Sequence, residues 1–269
     1  LKTLVAVVQF RSSEDKQENL LKSIDYIEQA ASKKAGLVCF PEFQMAFSPG
    51  SQTPAKLAEL AETVEGNFIT KLRQAAKKNG IGVVATIYEK GKGSRVYDTA
   101  AVISRTGRLV SVYRKLHLYD ALGFKESKKL MPGKAIEKPA KTEAGSIGVM
   151  ICYDLRFPEL SRLLTIGGAN ILVAPSAWVQ GPMKEEHWQT MVKARAIENG
   201  SYVVAPDQVG NIYAGRSMVV DPFGVVLLDM GQKEGMEAVE LDMDKVRQVR
   251  KSLPLLKNRR TDIYDLSLR

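Results

Sequence analysis

The chain has 269 residues, 45% of them hydrophobic and 26% charged, with a formal net charge of +9. That length fits one large domain or two small ones, and the apolar fraction excludes a disordered chain. Two cysteines, Cys39 and Cys152, give no disulfide framework. Two histidines, His117 and His187, are too few for a multi-histidine metal centre, and neither C-x-x-C nor H-E-x-x-H spacing occurs.

The positive excess gathers in two places. One runs through Lys125, Lys128, Lys129, Lys134, Lys138 and Lys141, the other through Arg247, Arg250, Lys251, Lys257, Arg259 and Arg260. Neither is interleaved with stacking aromatics, and no nucleic-acid-binding signature is present, so a lysine-rich solvated surface is the favoured reading. No apolar run approaches a membrane span, and the run at residues 4–10 is short for a secretion signal and is followed at once by Arg11-Ser-Ser-Glu-Asp. The expectation is a cytoplasmic protein with no nucleic-acid or membrane partner.

In chain order, residues 4–10 read as a strand. Ser12 or Ser13 is placed to cap a helix carrying Leu20, Ile24, Ile27 and Ala31 at helical spacing. The apolar run 36–40 reads as a buried strand. A helix with Phe68, Leu72, Ala75 and Ala76 ends at Asn79-Gly80, and 81–88 is the next strand. Residues 96–104 and 108–114 flank Arg105-Thr-Gly as a hairpin. Residues 146–151 form a strand, and Pro158 opens a helix that stops at Gly167-Gly168. A strand at 170–174 and a helix at 184–199 follow. Strands at 202–205, 217–220 and 225–228 come next, the last two joined by Asp221-Pro-Phe-Gly. Residues 236–241 add a strand and 242–251 a short helix.

Both halves therefore read β-α-β-α-β-β-β, a repeat of pattern rather than of sequence. Strands alternating with helices, each half ending in antiparallel hairpins, predict an α/β fold with mixed sheets covered by helices, packed as a four-layer α-β-β-α sandwich. No linker divides the chain, which reads as one domain over 1–269. The long irregular segment, roughly 118–141, is where a functional loop belongs.

Three reactive residues each follow a strand: Glu42 after 36–41, Lys115 after 108–114 and Cys152 after 146–151. Strand ends of this kind converge on clefts in α/β folds. Each residue has a plainer reading. Cysteine is often a small buried hydrophobe, which suits Cys39 within Leu37-Val-Cys-Phe. Cys152 stands between an apolar strand and the polar Tyr153-Asp154-Leu155-Arg156, where a helix start and nearby cations are expected to lower its pKa. Glu42 could serve a structural ion pair, and Lys115 could be a solvated surface lysine.

Phe40-Pro41-Glu42, the segment from Arg114 to Asp120 (RKLHLYD), the segment from Cys152 to Leu160 (CYDLRFPEL) and the segment from Ala194 to Asn199 (ARAIEN) resemble the hallmark segments of the nitrilase, or carbon–nitrogen hydrolase, superfamily. Pro175-Ser176-Ala177-Trp178, residues 219–224 and residues 256–264 add to the resemblance, which spans almost the whole chain in the family's order. It implies an α-β-β-α fold paired as a homodimer or higher homo-oligomer. The tail, about 252–269, is a candidate for dimer contacts. It also implies a Glu42, Lys115 and Cys152 triad, a second glutamate at Glu126, and neither metal nor organic cofactor.

On that basis the Cys152 thiol attacks an amide carbonyl, Glu42 moves the proton, and Lys115 with the Tyr153 backbone N–H holds the oxyanion. Tyr153-Asp154-Leu155-Arg156-Phe157 looks like the branch of omega-amidases and deaminated-glutathione amidases, which act on small carboxylate-bearing amides. Arg156 is then the candidate for the substrate carboxylate, against an ion pair with Asp154 or Glu159. Phe47, Tyr119 and Trp178 are candidate pocket walls, against plain core. The competing functions are N-carbamoyl amide hydrolysis, nitrile hydrolysis and a non-enzymatic binding module that retains the fold.

Overall fold

In the computed structural model, which describes residues 2–266, β1 (Lys2–Gln9) leads through α1 (Lys16–Ser32) to β2 (Leu37–Cys39). Helices α2 (Pro54–Leu60) and α3 (Asn67–Asn79) precede β3 (Gly82–Lys90), β4 (Val96–Ile103) and β5 (Leu109–Arg114). An irregular segment with one 3-10 turn, Glu126–Lys128, leads to β6 (Ala140–Thr142) and β7 (Gly145–Val149). A second 3-10 turn, Cys152–Arg156, joins β7 to α4 (Pro158–Ile166), followed by β8 (Ile171–Val173), α5 (Lys184–Asn199) and β9 (Tyr202–Ala205). The remainder is β10 (Val209–Gly210), β11 (Tyr213–Ala214), β12 (Met218–Val220), β13 (Val226–Asp229), β14 (Gly235–Asp242) and α6 (Met243–Ser252). Among the described residues no helix is long and apolar enough to cross a membrane.

The strands form two six-stranded sheets, ordered β14-β1-β2-β3-β4-β5 and β13-β12-β9-β8-β7-β6, with β10-β11 as a separate ribbon. Each has a parallel centre, β1-β2-β3 or β7-β8-β9, flanked by antiparallel strands. The two-residue alternation of side chains assigns the layers. Val5, Val7, Leu37 and Cys39 enter a core shared with Ile147, Val149, Ile171 and Val173 of the second sheet. Ala6, Val8 and Val38, one position on, pack instead with Leu20 and Ile27 of α1 and Phe68 and Leu72 of α3. On the far side Leu160 and Leu164 of α4 and Trp188 and Val192 of α5 join the second sheet's core. The result is the mixed-sheet α-β-β-α sandwich.

One expectation is corrected, and two features had no reading. The cap of α1 is Asp15, whose side chain accepts from the Gln17 and Glu18 N–H groups at 2.7 and 3.3 Å. A carboxylate there satisfies end donors and suits the helix dipole. Ser12 and Ser13 are used elsewhere, their hydroxyls bonding Phe43 O at 2.8 Å and Glu18 at 2.7 Å. The last strand leaves the second half altogether: β14 pairs antiparallel with β1, from Lys2↔Asp242 to Gln9↔Gly235. The corresponding edge of the second sheet is β6, whose three residues carry no readable alternation, so the halves are not copies in chain order. Helix α2 lay inside an unassigned stretch, though Thr53 caps it and Pro54 opens it. Of the C-terminal tail, residues 267–269 lie outside the described residues.

Candidate active site

The C-terminal ends of β2, β5, β7 and β8 supply the site. Beyond β2 the Phe40 N–H still bonds Val84 O at 2.9 Å. Pro41 offers no N–H to extend the ladder, and Glu42 follows, nearly fully buried. Its carboxylate accepts from Lys115 Nζ at 2.6 Å and from the Ala177 N–H, just past β8, at 2.8 Å. Its own carbonyl accepts from Gln208 Nε2 at 2.9 Å.

Lys115, the residue after β5, is completely buried. Its Nζ also donates to Glu126 Oε1 and Oε2 at 3.0 and 2.9 Å. Glu126 in turn accepts the Tyr119 N–H at 2.7 Å, so one carboxylate folds the irregular segment over the lysine. A residue missed in the sequence lies nearby: Asp98 of β4 is buried, with Oδ2 3.8 Å from Lys115 Nζ. Its signal in the sequence is a charged residue inside a mostly apolar strand.

Cys152 has φ +45°, in the left-handed region that a side chain bearing Cβ rarely adopts. Such strain is worth about 1–3 kcal/mol and must be held by the surroundings. Asp154 holds it: its carboxylate accepts the Ile151 N–H at 2.9 Å, the Tyr113 hydroxyl at 2.6 Å and the His117 N–H at 3.0 Å. The Cys152 N–H bonds Pro175 O at 2.9 Å, and the Asp154 N–H closes the turn on Ile151 O, also at 2.9 Å. Between them, the Tyr153 N–H has no backbone acceptor among the described residues.

The thiol's electrostatics correct another expectation. Burial, the largest influence, and the Glu42 and Glu126 carboxylates push the Cys152 thiol well above its ordinary value, against the pull of Lys115 and the Ala177 backbone. The helix start and nearby cations do not prevail, because sulfur and carboxylates share one enclosed space. Lys115 shifts upward too. Burial opposes its charge, but Glu126, Glu42, Cys152 and Asp98 outweigh burial and keep it an ammonium. Burial also raises Glu126, against the attraction of Lys115.

Cys152, Glu126, Tyr153, Tyr119, Arg156 and Trp178 all line one cavity of about 410 Å³. Arg156 lies 4.6 Å over the Trp178 ring and makes no ion pair with Asp154 or Glu159 among the described residues; Asp154 is committed to the turn. Phe47 is not part of the lining and packs edge-on to Tyr213 at 6.1 Å. Phe43 lines the cavity instead, because the chain bends at its own φ of +57°. Lys184, at the start of α5, was also missed: it lines the cavity and donates to the Tyr119 hydroxyl. Among the described residues no His, Cys, Asp and Glu cluster is arranged to hold a metal; the carboxylates converge on Lys115.

The family model described as carbon-nitrogen hydrolase matches residues 4–251. Over 258 residues the chain is 37% identical to the deaminated glutathione amidase of Escherichia coli O157:H7, covering 96% of this chain and 97% of that one. Its fold matches the C. elegans NitFhit protein with a TM-score of 0.92 at 32% identity, over 98% of this chain but 66% of that longer one. It matches Saccharomyces cerevisiae Nit3, a member of branch 10 of the nitrilase superfamily, with a TM-score of 0.85 at 32% identity, covering 96% and 97% of the two chains. Motifs, sandwich and relatives agree, and the chain belongs to the carbon–nitrogen hydrolase family of the nitrilase superfamily.

Proposed function

We propose that the chain cleaves the terminal amide of a small carboxylate-bearing molecule, releasing ammonia and an acid through a thioester on Cys152. The observation that carries this reading is a fully buried ammonium, Lys115, bonded to both Glu42 and Glu126 beside a cavity thiol. A thiol held protonated needs a base at the moment of attack, and of the two carboxylates acting on it Glu42 acts the more strongly. Glu42 takes the thiol proton as sulfur bonds the carbonyl carbon. Lys115 and the Tyr153 N–H hold the resulting oxyanion. The C–N bond breaks, Glu42 returns its proton to nitrogen, and ammonia leaves. Water, deprotonated by Glu42, then attacks the thioester, and the acid departs as the thiol reforms. Glu126 keeps Lys115 placed throughout.

The lining supports an anionic substrate. Arg156, Lys184, Lys125, Lys128 and Lys129 surround a cavity whose one acidic lining residue, Glu126, is bonded to Lys115. Arg156, stacked on Trp178, is free to take a carboxylate through two parallel bonds. The E. coli relative, a deaminated glutathione amidase, supports the same class. We also propose a homodimer across the outer helices, where Ile166 of α4 and Ile197 of α5 are exposed, as are Phe223 and Val225 in the β12–β13 turn; a monomer by analytical ultracentrifugation at micromolar concentration counts against it.

Ammonia release from dicarboxylic acid monoamides, neutral amides, ureido acids and nitriles tests the reading. The monoamides should turn over, and Cys152→Ser should not. Arg156→Ala should raise KM for carboxylate-bearing amides by about 10–100-fold, the worth of one charged hydrogen-bonded contact, and leave KM for neutral amides nearly alone. Turnover that survives Cys152→Ser sinks the thioester. Activity confined to ureido acids or nitriles moves the function to those reactions.

A further inference from the structure

Around the one ammonium of Lys115 stand three carboxyl groups, Glu42, Glu126 and Asp98. Glu42 and Glu126 each have a donor at both oxygens, Lys115 and the Ala177 N–H for the former, Lys115 and the Tyr119 N–H for the latter, with lone pairs to spare. Asp98 differs. It is 1% exposed, and neither of its oxygens meets a donor among the described residues. Its main chain is tied to the site, since its carbonyl accepts the Lys115 N–H at 2.9 Å, and across the sheet it pairs with Tyr88 of β3.

Asp98 and Glu42 meet on the same ammonium, 3.8 and 2.6 Å from Lys115 Nζ, and each carboxyl acts on the other. Two ionised carboxylates are both acceptors and repel each other; they form a hydrogen bond only when one holds a proton. Were all three carboxyls ionised, one buried cation would leave negative charge without compensation, at large desolvation cost. Three carboxylates against one ammonium leave two such charges; a proton on one carboxyl halves that excess, and the Ala177 and Tyr119 N–H groups share what remains, so the cluster takes up one proton. Glu42 and Glu126 offer their oxygens to N–H donors that require acceptors, which leaves Asp98 to carry it. Burial first, then the charge of Glu42, drive the Asp98 carboxyl well above its ordinary range, with Lys115 opposing. Glu42, Lys115, Glu126 and Tyr88 are the titratable groups facing it, with Cys152 beyond them.

We propose that Asp98 is a positioning residue that remains the neutral acid, donates its proton in a hydrogen bond to Glu42, and so keeps Glu42 the ionised partner of Lys115. The assignment rests on the reading of Glu42 as the base. A base without this donor would hold its proton more tightly, be ionised over a narrower pH range and return the proton to nitrogen less readily. No proton leaves Asp98 during turnover.

The test compares Asp98→Asn, whose amide is neutral and can still donate, with Asp98→Ala, which cannot. In kcat/KM against pH, the acid limb should stay in place for Asp98→Asn and move up by about half a pH unit or more for Asp98→Ala. The alanine variant should lose at least roughly tenfold in kcat with KM within about threefold, and asparagine should recover most of that loss. An ionised Asp98 gives the opposite sign: removing its charge moves the acid limb of both variants to lower pH. That result overturns the proposal, as does no shift in either, or a folded Asp98→Asn as inactive as alanine.

Infrared spectra supply a readout without substrate. The protein at neutral pH should show a protonated-carboxyl band that is missing in Asp98→Asn; identical spectra also overturn the proposal. Should Asp98→Ala not fold, the asparagine profile and this band decide. If no amide is turned over at all, the band still reports on Asp98, so failure of the hydrolase reading is distinguishable from failure of this assignment.

Discussion

Cys39 and Cys152 are both buried cysteines associated with central strands, and burial pushes both thiols above their ordinary value. For Cys39, inside β2, burial is the whole cause, and its neighbours are the apolar side chains between the sheets. Cys152 sits one bend beyond β7 with Glu42, Lys115 and Glu126 acting on it and a cavity in front. Burial alone makes a thiol inert. Burial beside a base and an ammonium keeps the proton on sulfur until something able to use the thiolate arrives.

The largest expected effect comes from removing the cation that separates the two environments. Lys115→Met should lower kcat by about 10²–10³-fold, the usual worth of an oxyanion donor. It should also cost about 3–5 kcal/mol in denaturant unfolding, because Glu42 and Glu126 are left buried without their partner. The pH dependence has a definite sign. The Lys115 pKa is raised in the fold, so its contribution to stability is complete below its ordinary 10.5 and is lost as pH rises through the higher folded value. Thermal melts of the natural protein should therefore lose an alkaline component that Lys115→Met lacks; equal alkaline profiles would remove the lysine from the account.

Next in size is chemical access. Iodoacetamide should alkylate Cys152 at least about 10²-fold faster than Cys39, which can be reached only through local opening of the core. The Cys152 rate should keep climbing into alkaline pH, since its thiol lies above the ordinary value. Comparable rates, read by mass spectrometry, break the distinction. The smallest effect is Cys39→Ala, expected to lose about 1 kcal/mol of stability through packing and to leave kcat/KM within about twofold. A tenfold loss would join Cys39 to the site.

What could be read from the sequence was set by local pattern. Apolar runs ending in Glu42, Lys115 and Cys152 announce strand ends, and Asn-Gly pairs announce the ends of α3 and α5, where Gly80 and Gly200 take φ of +63° and +54°. What escaped depends on distant parts of the chain. Asp98 reads as one polar position in a strand until β5 and β2 bring Lys115 and Glu42 against it. Phe43 and Phe47 are equivalent aromatics until the backbone turns left-handed at Phe43. The direction of the Cys152 shift follows from enclosure, which no run of residues displays.

The pairing of β14 with β1 has a consequence for how the molecule is made. A strand near the beginning of the chain must wait for one near its end before all its backbone groups on that side are matched. On the ribosome β1 therefore waits with an open, apolar edge, able to recruit other nascent chains. Translation that stops before residue 235 would leave that edge of β1 bare, so loss of a stretch remote from the chemistry should send the product into aggregates.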